Sequence, residues 1–331
     1  MLILYNLFER LQKGEEKDLL AEDSVIEEIG AVEEAVRSLG HECFVLAIRD
    51  EIFTVIHWLH EVNPDIVFNL CEGVYGDSSL EMDIPALLEL FRIPYTGSPP
   101  LTLGLCQDKG KVKHILRSHE IETPRFIIVD RRSNPMTYPS FPLIVKPLHE
   151  DGSLGISKES VVYDETSLRR QIEYILNTYD QPALVEEFVD GRELNVSLFE
   201  RNGKVDVLPI SEIDYSGFPE AIPRICGYEA KWIPESPEYQ KSKPICPALL
   251  DPCLKDKVEQ IAVCVFNLFE FRDYGRVDFR VGPEGRLYVI DVNPNPDISP
   301  QSGMSRAIKA RGMTYIEFVE GLLERVLQRR T

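Results

Sequence analysis

Gly275-Arg276-Val277-Asp278-Phe279 and, one hairpin later, Tyr288-Val289-Ile290-Asp291-Val292-Asn293-Pro294-Asn295-Pro296 read as two alternating strands followed by a loop stiffened by proline. Side chains two apart on a strand share a face. Asp291 and Asn293 therefore point the same way, and pairing of the strands adds Asp278. Three hard oxygen donors of this kind suit Mg²⁺ carrying a nucleotide. Arg276, two residues before Asp278, belongs to the same face. A guanidinium there can neutralise charge developing on a transferring phosphoryl group or a tetrahedral oxyanion; the plainer alternative is a structural ion pair.

Further back, residues 141–146 read as a strand that runs into a loop over 147–156, centred on His149-Glu150-Asp151-Gly152-Ser153-Leu154-Gly155. Small residues such as Gly152 and Ser153 let backbone N–H groups approach phosphate oxygens, while Lys146 at the strand end supplies a point charge. Lys109 and Lys231 offer further phosphate charges. The loop has neither the Walker A order nor a Gly-x-Gly-x-x-Gly, which argues against a P-loop enzyme or a dinucleotide dehydrogenase. Between two strands, Val185-Glu186-Glu187-Phe188-Val189-Asp190-Gly191-Arg192-Glu193 alternates carboxylates with apolar residues. It can form a slot in which Glu186 and the backbone around Glu187 and Val189 meet an adenine edge and Glu193 meets ribose hydroxyls. A hairpin with a solvated acidic edge is the alternative.

The first hundred or so residues alternate apolar runs at 2–8, 42–48, 65–70 and from 93 with helical patterns over 23–39, 51–61 and 80–91. That βαβα order predicts an open parallel sheet. Ligands gather beyond the carboxyl ends of such strands, where Glu72-Gly73-Val74-Tyr75-Gly76-Asp77 lies. It is either a substrate loop or a turn that its glycines make possible. A mixed α+β block follows, with helices over 109–119 and 165–177 and strands over 125–130, 141–146, 183–188 and 193–199, and a polar, proline-bearing stretch at 131–140. Next come a strand over 204–212, a proline-rich irregular stretch over 216–252, a helix over 253–270, the two metal strands, and helices over 302–309 and 314–329. A loop that long inside a compact domain reads as a lid or substrate loop.

Composition narrows the partners. The 331 residues carry a formal charge of −19, which argues against nucleic acid and anionic membranes as partners. No apolar run reaches the roughly 20 residues of a membrane helix, and the N-terminus has no signal-peptide pattern. The seven cysteines are scattered, with no Cys-x-x-Cys pair, as expected of free thiols in a reducing, cytoplasmic compartment rather than a zinc site. Cys71 and Cys264 lie in apolar runs and are expected in the core. His57 and His60, one helical turn apart, read as a solvated face, since two ligands do not make a metal site. No Gly-x-Ser-x-Gly elbow points to covalent hydrolysis.

Taken in order, Pro94-Tyr95-Thr96-Gly97-Ser98, Asp108-Lys109, Thr123-Pro124, Val145-Lys146-Pro147 with its loop, Glu186-Glu187 through Gly191-Arg192-Glu193, Tyr228-Glu229-Ala230-Lys231, Arg276-Val277-Asp278-Phe279 and Asp291-Val292-Asn293 span nearly the whole chain. The ordered set resembles the ATP-grasp superfamily in its D-alanine–D-alanine ligase branch. The resemblance implies an α/β, open parallel-sheet (pre-ATP-grasp) domain over 1–105, then a two-lobed α+β ATP-grasp fold. Its central subdomain would span 106–189, and a C-terminal subdomain over 190–331 would hold the metal and catalytic site. It further implies that Lys109, Lys146, Gly152 and Ser153 bind ATP phosphates, with Glu186, Glu187, Val189 and Glu193 at adenine and ribose. Lys231 would reach the terminal phosphate, Asp278, Asp291 and Asn293 would hold two Mg²⁺ ions (or Mn²⁺), and Arg276 would stabilise the oxyanion. The family reaction activates a carboxylate by phosphoryl transfer, and an amine then attacks the acylphosphate.

The departures concern the substrates. Leu4-Tyr5-Asn6-Leu7-Phe8-Glu9 does not match the family's glycine-rich opening with its substrate-amine glutamate. Gly152 replaces the first serine of the phosphate loop, and Trp232 stands where the family has a tyrosine whose hydroxyl it cannot supply. Ser302 matches the second-substrate serine, while Asp297 in the preceding loop adds a charge suited to a cationic amine, and Glu72 lies on the candidate substrate loop. The resemblance thus implies an ATP-dependent carboxylate–amine ligase acting on an amino acid or peptide, and the departures point to a substrate other than D-alanine. Two rivals stay open: a genuine D-alanine–D-alanine ligase with a rebuilt pocket, and a non-catalytic ATP-binding regulatory protein. The latter predicts a lost metal ligand or oxyanion arginine, and neither is lost. An ATP-grasp kinase would leave the N-terminal sheet unexplained. Family analogy adds a homodimer made through the N-terminal domain.

Overall fold

The computed structural model describes residues 1–7, 13–49, 52–132, 137–219 and 221–329. Phe8 and Glu9 of the divergent opening, Glu51 at an expected helix start and residues 133–136 of the polar stretch lie outside the described residues. The first apolar runs become β1 (Leu2–Asn6), β2 (Phe44–Ile48) and β3 (Val67–Leu70), a parallel sheet in the order β2-β1-β3. Its strands are almost continuously apolar because helices cover both faces. Leu2 and Leu4 pack with α2 (Ile52–Val62) and α3 (Asp83–Leu90). Ile3 and Phe68 pack with α1 (Leu20–Ser38), which stops where Gly40 adopts φ +83°, a left-handed value glycine meets without strain. The strand expected from residue 93 is reduced to a bridge between Tyr95 and Val67, because Pro94 has no N–H to extend a ladder. An additional helix, α4 (Pro100–Cys106), precedes α5 (Lys109–Ser118), whose N-cap Asp108 accepts from Lys111 N at 2.9 Å.

The next strands, β4 (Phe126–Val129), β5 (Leu143–Pro147), β6 (Val161–Val162) and β7 (Ala183–Glu187), form an antiparallel sheet in the order β4-β7-β5-β6, covered by α6 (Glu165–Thr178). The third sheet holds β8 (Arg192–Arg201), β9 (Lys204–Val207), β10 (Ser211–Asp214), β11 (Lys243–Ile245), β12 (Tyr274–Val281) and β13 (Leu287–Asn293) in the order β11-β10-β8-β12-β13, with β9 also on β8. The single strand expected over 204–212 is thus two strands, divided around Pro209, which cannot donate to the ladder. The stretch 216–252 is less irregular than its composition suggests: it carries α7 (Tyr228–Trp232), α8 (Pro237–Lys241) and β11.

One face of this sheet packs on α5 and α9 (Pro252–Leu268). That helix buries Val258, Ala262, Val265 and Phe266 and so turns Cys264 to solvent, against the expectation of a core thiol; Cys71 is buried as expected. The other face meets α10 (Gly303–Ala310) and α11 (Tyr315–Arg329) in a cluster where Phe199 and Tyr274 join Ile3, Phe68 and Val32. The first and third sheets therefore share one core. No helix among the described residues is long and apolar enough to cross a membrane.

A polar clamp reinforces the shared core. Asp273, fully buried, accepts from Gly97 N at 2.8 Å and pairs with Arg329, whose guanidinium also donates to Tyr95 O at 2.8 Å. At the other end of β12, a Cβ on Gly191 would stand 2.0 Å from Val281 O, so only glycine lets the start of β8 lie this close. Replacing a buried, hydrogen-bonded charge weakens bonds worth about 1.5–3 kcal/mol each. Asp273→Asn is expected to lower stability by about that amount, read as a shift in the urea midpoint at unchanged slope; an unchanged midpoint would remove the clamp from the account.

Candidate active site

Strand register assembles the centre. In the antiparallel pairing of β12 with β13, Asp278 lies opposite Asp291 and Arg276 opposite Asn293, and directly opposed residues share a face. On the other side of β12, Asp278 lies opposite Asn195 and Arg280 opposite Glu193. Two opposed carboxylates, Asp278 buried and Asp291 half-buried, need compensating charge. Arg276 clasps Asp278 in a fork, with Nε at 2.9 and 3.1 Å and a terminal nitrogen at 3.0 Å. Lys109, at the start of α5, stands 3.3 Å from Asp291 and 2.7 Å from Asp151 of the glycine-bearing loop. Burial raises the Asp278 carboxyl above its ordinary range despite Arg276. Burial pushes Asp291 the same way, but Lys109 and Arg276 outweigh it and the net direction is down. Lys109 is itself raised, burial being overcome by Asp151 and Asp291.

These groups open into a cavity of about 270 Å³ that is also lined by Lys146, Gly152, Ser153, Glu186, Glu187 and Val189. Glu193, Lys231, Trp232, Glu72 and Asp297 line it too. Among the candidate residues Ser302 is not brought to that wall: it is buried, and its hydroxyl caps α10 by accepting from Ser305 N at 3.1 Å. Glu186 is 1% exposed and sits between two lysines, Lys146 and Lys113, the latter at 2.7 Å. Its pKa falls, since the two ammonium groups outweigh the upward push of burial. Glu187 turns partly outward to pair with Arg125. Glu193 accepts through Oε2 from both Tyr215, at 2.8 Å, and Arg280.

The loop over 147–156 needs left-handed backbone, with φ near +63° at Gly152 and +64° at Ser153. The strain at Ser153 is tolerated because its hydroxyl donates to Cys226 O at 2.8 Å. Trp232 closes the gap from the other side: its indole N–H donates to Gly152 O at 2.8 Å. The side chain that lacks the expected hydroxyl thus still binds the glycine-bearing loop, through a different donor. Lys231 stands 4.7 Å from the centre of the Trp232 ring, within cation–π reach. The segment before α1 laces this edge shut. Tyr228 donates to Lys17 O, Lys17 stands 3.8 Å from Glu229, Tyr179 donates to Asp18 at 3.0 Å, and Lys13 lies 3.4 Å from Glu150.

His57 and His60 sit on an exposed helix face, and among the described residues no group of three His, Cys, Asp or Glu side chains is arranged to hold a metal. The candidate trio mixes two carboxylates with an amide. Two aspartates and Asn293, whose Oδ1 also accepts from Asn295 N at 2.8 Å, are hard oxygen donors that fit a divalent magnesium-type ion.

Residues 116–324 match the family model described as D-ala D-ala ligase C-terminus. The chain belongs to the D-alanine–D-alanine ligase family, within the ATP-grasp superfamily. Its relatives include an uncharacterized protein, y4sG, of Sinorhizobium fredii, 34% identical with 88% of this chain and 84% of the relative covered. Similar too are the D-alanine–D-alanine ligases of Syntrophotalea carbinolica, 32% identical over 88% of each chain, and Aquifex aeolicus, 30% identical over 87% of this chain and 91% of the relative. The fold matches the ATP complex of the Bacillus anthracis D-alanine–D-alanine ligase with a TM-score of 0.74, over 100% of this chain and 98% of that one, at 23% identity. As a member of this ligase family the protein is an ATP-grasp enzyme that forms a carbon–nitrogen bond.

Several residues in and beside the cavity carried no sequence signal of their own. Lys113 could be found only as the residue one helical turn beyond Lys109, and Arg280 as the next same-face residue after Arg276 and Asp278. Glu28 and Glu81 also line the wall but sit in unremarkable helical contexts.

Two outcomes follow from this geometry. Trp232→Phe removes one hydrogen bond of about 1 kcal/mol and is expected to speed amide hydrogen exchange at residues 151–156 about fivefold; equal rates would mean the indole contact does not hold the loop. For Glu186, whose folded pKa is depressed, the ion-pair stabilisation is present above the unfolded glutamate range and is lost as pH falls through the folded value. Glu186→Gln should therefore destabilise the protein at pH 7, with the gap to wild type shrinking below about pH 4.3, as followed by thermal melts across pH.

Proposed function

We propose that this protein activates a substrate carboxylate with ATP and couples it to an amine, releasing ADP and phosphate, on an amino acid or peptide other than D-alanine. The observation that carries the reading is the convergence of Arg276, Asp278, Asp291 and Asn293 on the cavity that Lys109, Lys146 and the 151–155 loop also line. A carboxylate oxygen attacks the terminal phosphorus and ADP departs. The amine nitrogen then attacks the acyl carbon, the tetrahedral adduct expels phosphate, and the nitrogen gives up a proton.

Each residue has a part in this. Lys109, Lys146 and the N–H groups of Gly152 and Ser153 bind the phosphates, and Lys231 reaches the terminal one. Glu186 and the backbone from Glu187 to Val189 meet adenine, and Glu193 a ribose hydroxyl. Asp278, Asp291 and Asn293 would hold two Mg²⁺ ions, which supply positive charge against the phosphoryl oxygens when bound. Arg276 stabilises the oxyanion of the tetrahedral adduct. Glu72, Trp232 and Asp297 face the amino acid or peptide substrates, whereas Ser302, the match to the family's second-substrate serine, stands off that wall as the cap of α10. The same reading divides the chain at residues 105 and 189 and gives a cytoplasmic homodimer through the N-terminal domain, where Phe53, Leu90 and Leu101 are exposed. The names of the ligase relatives favour a second reading, a D-alanine–D-alanine ligase with a rebuilt pocket.

ADP release with D- and L-amino acids, singly and in pairs, with products identified by mass, tests both. D-alanyl-D-alanine as the main product would establish the second reading. Lys146→Ala and Asp291→Ala are each expected to cut kcat/KM by a factor on the order of a hundred to a thousand; full activity in either would end the site assignment.

A further inference from the structure

Two residues assigned to opposite ends of the nucleotide are in contact. In the reading above Lys146 on β5 serves the phosphates and Glu186 on β7 serves adenine, yet Lys146 Nζ is paired with Glu186 Oε1. The register explains the contact: Glu186 lies opposite Ile144 and Lys146 opposite Leu184, so the two charged side chains are diagonal neighbours on one face of the sheet. Both line the cavity. Glu186 is 1% exposed and cannot replace a lost cation with water. A nucleotide that draws Lys146 to its phosphates would strand a buried carboxylate, a costly outcome unless a second cation stays behind.

Helix α5 supplies that cation from the sealed side. Lys113 Nζ stands 2.7 Å from Glu186 Oε2, an oxygen closed to solvent. The same ammonium donates to Thr123 Oγ1 at 2.9 Å, and Val112, Leu116, Val289 and Val292 line the small void beside it. Among the described residues no lysine or arginine besides Lys113 and Lys146 pairs with Glu186. The two lysines are unequal. Lys146 lines the cavity and can turn to a ligand, whereas Lys113 is buried and pinned by Thr123 behind the carboxylate. Burial pulls the Lys113 ammonium below its ordinary value and Glu186 opposes that pull, so the inner ammonium depends on the carboxylate it serves.

We propose that Lys113 is a positioning residue for the nucleotide: it keeps Glu186 ionised and in place while Lys146 moves from Oε1 to the phosphates, and Oε1 is thereby freed to accept from the amino group of adenine. The proposal rests on the ATP reading above and deepens it, since it gives the site a means of telling adenine from a 6-oxo purine. Hypoxanthine presents a carbonyl oxygen where adenine has its amino group, and an ionised carboxylate has no proton to donate to it. Without Lys113, Glu186 would hold Lys146 back from the phosphates or take up a proton, and either result blunts both affinity and base preference.

The test measures dissociation constants for ATP and inosine triphosphate, each with Mg²⁺, by titration calorimetry on the full chain and its variants. Wild type is expected to favour ATP by about tenfold or more. Lys113→Met, checked for folding by thermal melts, should weaken ATP binding about tenfold and shrink the preference about fivefold or more. Combining it with Glu186→Gln leaves no buried carboxylate to strand and an amide that can face either base. The double variant should therefore melt above Lys113→Met and bind the two nucleotides within about twofold of each other. Should the single variant fail to fold, the double variant decides, and retention of the wild-type preference there overturns the proposal. An unchanged preference in folded Lys113→Met, or a wild type that takes both nucleotides alike, overturns the positioning role and leaves the ligase reading standing. No ATP binding by wild type overturns the nucleotide assignment and the positioning role together.

Discussion

Two carboxylates facing each other on neighbouring strands repel, and the pair Asp278 and Asp291 is the constraint around which the centre is organised. Arg276 answers one from the same strand, and Lys109 answers the other from α5. Lys109 also holds Asp151, so the glycine-bearing loop is positioned by the same ammonium that neutralises Asp291. One turn further along α5, Lys113 reaches Glu186 on β7. A single short helix thereby pins a carboxylate of the third sheet and one of the second, and the cavity lies between them. Residues four apart share a helix face, which lets one stripe serve two sheets.

The elements that build this arrangement were largely legible in the chain. Period-two alternation revealed the strands that carry Arg276, Asp278, Asp291 and Asn293, and their antiparallel register turned three scattered oxygens and a guanidinium into one face. The βαβα pattern revealed the parallel sheet, because strands buried on both sides must be apolar throughout. What was misread follows from local chemistry: Pro94 and Pro209 lack the N–H that a continued strand requires, and Cys264 sits in an apolar run on a helix that buries only one stripe.

Other features could not be read because they depend on distant contacts. Nothing around Glu28 or Glu81 marks them as cavity residues; they reach the wall only because α1 and the loop after β3 meet the loop after β13. Trp232 illustrates the converse. The residue type excludes a hydroxyl, but not a hydrogen bond, and the indole N–H reaches Gly152 O. Ser302 was legible as a motif serine, yet its hydroxyl is committed to a helix cap.

The segment over 13–18 bears on how anything gets in or out. It follows the parallel sheet's first strand, yet its bonds run to Tyr179 at the end of α6, Tyr228 in α7 and Glu150 after β5, in the parts of the chain that carry the other two sheets. Lys13 also reaches Asp77 beyond β3, so displacing the glycine-bearing loop at this edge pulls on the part of the chain that holds the first sheet. Movements of the two sides of the cavity are thereby linked through six residues of chain.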